Sequence, residues 1–167
     1  MTRRLLPLLV VSAVLVLAGC GNKTTTTTGA NGQVTTHTTV HFAKTKFLLH
    51  AGLAFGTFHR YIYTPLKAGD FSHPLQHKAA VVKAAAAGAF VYHEVKLALT
   101  DAQGSAILSK VVSPLTALGA TLAGVVASLK SGHPSLSGIT SANGAISSIK
   151  SAASSSGANI TEHSSSF

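Results

Sequence analysis

Apolar side chains in the middle of the chain recur at helical spacing. Phe47, Ala51, Phe55, Phe58 and Ile62 make one stripe, and Thr64-Pro65 is expected to end it, because the residue before proline avoids the α region. A second stripe joins Leu75, Ala79, Val82, Ala86, Phe90, His93 and Leu97, with Ser72 or His73 as a cap ahead of Pro74 and Gly104 as a left-handed stop. The third holds Leu108, Val111, Leu115, Leu118, Leu122, Val125 and Leu129, and Pro114 inside it either kinks the helix or restarts it from Ser113. After the break Ser131-Gly132-His133-Pro134, a thinner stripe of Leu136, Ile139, Asn143, Ile146, Lys150 and Ala153 is diluted by serine and glycine. No segment sustains a two-residue alternation, so no sheet is expected. The pattern predicts an all-α, four-helix up-down bundle over residues 40–153, with helices roughly 30–42 Å long. Gly52, Gly56 and the small residues of 84–88 are placed where helices can approach closely.

The ends differ from this core. Residues 20–39 carry nine threonines and almost no apolar side chains, too little to offset the entropy of ordering. They are expected to form a disordered linker with a reach of roughly 25 Å. Residues 154–167 are serine-rich and are expected to form a flexible tail.

Residues 1–19 begin with Arg3 and Arg4, continue through an apolar run over 5–17 and end on Ala18 and Gly19. That is the layout of a signal peptide, and the run is shorter than the roughly 20 residues of a permanent membrane span. The exit sequence Leu17-Ala18-Gly19-Cys20 resembles the lipobox of bacterial lipoproteins. The resemblance covers residues 1–20 and implies cleavage before Cys20, a diacylglyceryl group on its sulfur and a new amine open to acylation. Each buried acyl CH₂ contributes about 0.8 kcal/mol, so two or three chains anchor durably. The implied address is the extracytoplasmic face of a bacterial cell membrane, inner or outer. No family resemblance extends into residues 40–167.

Composition narrows the chemistry. The 167 residues include 13 Lys+Arg, 4 Asp+Glu and one Cys, which excludes a disulfide scaffold and a cysteine-rich zinc module. The only carboxylates are Asp70, Glu94, Asp101 and Glu162. Glu-x-x-His pairs, nucleophile elbows, phosphate-binding loops and H-E-x-x-H motifs are all missing from the sequence, so no enzyme is expected and no catalytic residue is assigned. The lysines are spread along the chain rather than clustered, unlike nucleic-acid binders. Outside a cell, such a diffuse positive field draws anionic lipid head groups or acidic wall polymers.

Nine histidines raise metal and haem chemistry. His73 and His77 are four apart, a spacing that suits two ligands on one helix face, but no third ligand accompanies them. His50, His59 and His93 are the candidates for inward haem ligands, although no C-x-x-C-H motif occurs. The reading is therefore a non-catalytic, lipid-anchored bundle that works through protein or envelope contacts and has no cofactor beyond the lipid on Cys20. The alternatives are a haem- or metal-binding bundle and a membrane-inserted assembly around residues 111–129.

Overall fold

The computed structural model describes residues 22–28, 34–40 and 42–167. The leader expected over residues 1–19, and Cys20, lie outside the described residues. Helix α1 (Ala43–Phe58) runs through one π-helical turn, His59–Tyr63, directly into the short α2 (Thr64–Ala68). The stop expected at Thr64-Pro65 is thus absorbed. Pro65 directly follows the wider π-turn, in helical backbone to which it can donate no N–H, and the Thr64 hydroxyl donates to the His59 carbonyl at 2.8 Å. The real stop is Gly69, whose φ of 84° few other residues adopt.

Three further long helices follow: α3 (Lys78–Gln103), α4 (Ser109–Lys130) and α5 (Leu136–Ser155). Helix α1 packs on α3, α3 on α4, α4 on α5, and α5 meets the π-turn, which makes an all-α bundle. The expected stripes of α1 and α4 both point inward. Phe47, Phe55, Phe58 and Ile62 are fully buried, as are Leu115, Leu118 and Leu122. Helix α4 passes through Pro114 unbroken. In α5, Ser135 caps the start by accepting from the Gly138 N–H at 3.2 Å.

The second stripe is corrected. Leu75 is 81% exposed and Val82 69% exposed, and Ala86 and His93 also face solvent. The buried line is Val81, Ala84, Val91, Val95, Ala98 and Ala102, a different face of the same helix. It is lined by small residues, so α3 lies close to its neighbours: a Cβ on Gly88 would meet Val126 of α4 at 3.2 Å. Helix α3 also starts at Lys78, four residues beyond Pro74, and its closing Gly104 has an ordinary negative φ of −78°.

Both ends depart from expectation as well. In the threonine-rich linker, strands β1 (Asn22–Thr28) and β2 (Val34–Val40) pair antiparallel, with Asn22 opposite Val40 and Thr28 opposite Val34. Threonine is β-branched and suits a strand, whereas a lone two-stranded ribbon is marginal in water. The serine-rich tail, expected to be free, is laid back along α1. Ala158 is fully buried, the His163 N–H donates to the Gly52 carbonyl at 3.0 Å, and the Ser165 N–H donates to Thr57 Oγ1 at 3.1 Å.

Candidate functional site

The four carboxylates of the chain all turn inward or lie half-covered, and each faces a histidine. Three of these meetings, two at His50 and one at His59, fall on the continuous helix of α1 and its π-turn. The two histidines lie nine residues apart, about 13 Å along the axis. They form a polar seam beside an otherwise apolar core.

At the first, His50 reaches from α1 to two acids of α3. Its Nδ1 is 2.7 Å from Glu94 Oε2, and its Nε2 is 3.8 Å from Asp101 Oδ2. Glu94 and Asp101 are one heptad apart, so they share a helix face, and both are buried. The longer distance is not a hydrogen bond, and Asp101 Oδ2 is buried without a hydrogen-bond partner. Burial pushes the Asp101 carboxyl above its ordinary value, against the lowering pull of the His50 and Lys46 charges.

At the second, the tail supplies the acid. Glu162 lies between His59 Nδ1 at 2.6 Å and Lys150 Nζ at 2.5 Å. His59 Nε2 in turn meets Asn143 Oδ1 of α5 at 2.9 Å, so the imidazole is oriented from both sides. Burial pushes the Glu162 carboxyl up, but hydrogen bonds from Lys150 and His59, together with their charges, outweigh it and hold the group below its ordinary value. Arg60 closes the outer edge by donating to Ser164 Oγ at 3.2 Å.

This seam accounts for the candidate histidines. His50 and His59 have both ring nitrogens turned toward oxygens of neighbouring side chains, which leaves no lone pair directed at an open space. They stand on the same helix too far apart to flank one haem, and His93 is exposed on the outer face of α3. His73 lies in the turn before α3 and His77 at its N-cap, and the His77 N–H donates to the His73 carbonyl at 3.2 Å. His77 Nδ1 instead stands 3.6 Å from Asp70 Oδ1. Among the described residues no group of three or more His, Cys, Asp or Glu side chains is placed to hold a metal.

The sequence reading missed Glu94, Asp101 and Glu162 as the partners that fix these histidines. Their only signal was scarcity: four acids in a basic chain, two of them one heptad apart within an apolar helix.

Helix α4, with the turn before it, is long and apolar enough to cross a membrane by length and composition. Its large side chains point inward, while Ser113, Thr116, Ala117, Ala120, Ala123, Gly124 and Ala127 face out. The outer face is made mostly of small residues, with Ile107 exposed in the turn before the helix and Val112 and Val126 half-buried at its edge. No protein-family profile, curated protein or solved structure matches the chain.

Proposed function

We propose that the protein is a lipid-anchored, extracytoplasmic helical bundle that acts without catalysis by holding to anionic components of the bacterial envelope. The observation that carries the binding half is the sign of the surface. No acid among the described residues is exposed, whereas Lys44, Lys46, Arg60, Lys67, Lys78, Lys83, Lys96, Lys110 and Lys130 all are. A surface so dominated by one sign focuses a positive field on any negatively charged head group or wall polymer nearby. The lipobox-like Leu17-Ala18-Gly19-Cys20 supports the anchoring half, since the anchor would hold that field at the membrane. Exposed Val82, with Ala79, Ala86 and Phe167 between Lys78 and Lys83, adds an apolar patch with basic flanks, suited to the head-group boundary.

The test separates the two halves. Intact mass of the membrane-extracted protein is expected to show cleavage before Cys20 and an added diacylglyceryl group, and Cys20→Ser is expected to release the chain from membranes. The unlipidated chain is expected to bind vesicles containing phosphatidylglycerol in low salt and to leave them as salt rises. An unmodified Cys20 removes the anchor, and equal binding to neutral vesicles removes the electrostatic reading.

A further inference from the structure

The tail lies against α1 at the two glycines of that helix. A Cβ on Gly52 would stand 2.4 Å from the Thr161 carbonyl oxygen, and one on Gly56 would stand 2.4 Å from that of His163. Side chains are therefore missing from α1 where a foreign backbone runs, and not where another helix packs. The contacts that hold this backbone are indifferent to side-chain identity: a main-chain hydrogen bond to the Gly52 carbonyl and one to the fully buried Thr57 hydroxyl. One contact is chemically selective. The Glu162 carboxylate sits on His59 and Lys150, two groups supplied by the bundle itself, and Asn143 holds the imidazole in place from the far side. The tail has apolar anchors at its two ends, where Ala158 and Ile160 pack on the core and the Phe167 ring meets those of Tyr61 and Phe90, but the stretch 161–165 between them is small and polar and has no apolar grip of its own.

We propose that this channel between α1 and α5 is a binding site for an extended, acidic segment of a partner protein, with one carboxylate flanked by small residues, and that residues 161–165 occupy it as a displaceable internal stand-in. The site reads an extended backbone through Gly52, Gly56 and Thr57 and a carboxylate through His59 and Lys150. The depressed proton affinity of Glu162 fits a carboxylate that stays ionised in the seat. The positive surface steers an acidic segment toward it.

The probe is a fluorescent synthetic peptide of residues 157–167, used in anisotropy titrations against the purified full chain. Glu162→Gln weakens the internal stand-in and leaves the seat intact, so this variant is expected to bind the peptide at least about tenfold more tightly than the unaltered chain. That ratio matches the loss of one charge-assisted hydrogen bond. The peptide carrying Glu162→Gln is expected to bind at least about tenfold more weakly, and the double variant Glu162→Gln with Lys150→Met is expected to lose the gain. Amide exchange at His163 and Ser165 reports whether the stand-in has left. Equal peptide binding by the unaltered and Glu162→Gln chains, or a tail that stays fully protected in Glu162→Gln, overturns the proposal. Dimers of the unaltered chain that dissociate on adding peptide assign the site to a second copy and overturn the choice of partner.

Discussion

Replacing Gly56 by alanine tests the close approach of the tail most directly. An added Cβ there would lie 2.4 Å from the oxygen, 2.6 Å from the carbon and 2.7 Å from the nitrogen of His163. All three are backbone atoms, so no rotamer change relieves the clash. Either α1 or the tail must move. Inserting a methyl group into packed structure costs about 1–3 kcal/mol, and contact with several main-chain atoms puts this case at the upper end. Against that stands the helix propensity of alanine, better than that of glycine by about 1 kcal/mol in a helix interior. The net expectation is a destabilisation of about 1–2 kcal/mol, a fall in Tm of roughly 3–10 °C for a folded part of this size. The control reverses the sign. Gly119 and Gly144 lie within helices with nothing within 4 Å of an added Cβ, so alanine at either should stabilise by about 0.5–1 kcal/mol. Thermal melts followed by helical circular dichroism compare the three variants, and amide exchange at His163 shows whether the tail has left. A Gly56→Ala chain that melts higher, like the controls, with the tail still protected would falsify the packing argument.

The remaining predictions concern charge and core. The Glu162 carboxylate is held below its ordinary value, so its contribution to stability is full above that ordinary value and is lost as pH falls through the depressed folded value. Tm should decline in that acid range, and Glu162→Gln should flatten the decline. Asp101 is shifted the other way: its ionised form costs stability at neutral pH and that cost disappears on acidification, so Asp101→Asn is expected to raise stability near pH 7 by about 1 kcal/mol. His50→Ala strands Glu94 and Asp101 in the core and should cost about 2–3 kcal/mol, while Glu94→Leu added to His50→Leu should recover part of the loss in a double-mutant cycle. Leu118→Ala removes a fully buried side chain and should cost about 2–5 kcal/mol in denaturant unfolding.

Helix α4 was legible from the sequence because its leucines and valines stand out against alanine, glycine, serine and threonine, so size contrast alone fixes which face is buried. Helix α1 was legible for the same reason through its phenylalanines. Helix α3 lacks that contrast: residues 79–91 are nearly all alanine, valine and glycine, and any face of such a helix is apolar. Its phase is set by what packs closest, which favours Ala84, Gly88 and Val91 over the bulkier-looking line through Val82 and Phe90. The polar seam was hidden for a related reason, since Glu94 and Asp101 acquire meaning only once α3 is turned toward His50. The tail was unreadable as a docked element because main-chain contacts, one carboxylate and the isolated apolar residues Ala158, Ile160 and Phe167 hold it, and hydrophobic periodicity does not record them. Its trace in the sequence was the Gly52 and Gly56 pair, which by spacing alone suits a helix–helix crossing equally well.

The placement of the acids ties stability and surface together. A chain with 13 basic and 4 acidic side chains has few ways to pair its charges, and a lysine on the rim gains little from a surface partner. Here the carboxylates are withdrawn to the inside of the bundle or its edge, where Glu94 and Glu162 hydrogen-bond His50 and His59, Asp101 and Asp70 stand farther from His50 and His77, and Lys150 is the lysine that shares Glu162. Pairing at such sites is less screened than at the surface, so a small number of acids can pin α1 to α3 and the tail to α1. The same choice leaves the outside with little counter-charge, the half-covered Asp70 and Glu162 apart. The interior pairs and the positive exterior are therefore one arrangement, in which moving an acid outward would weaken the seam and the surface field together.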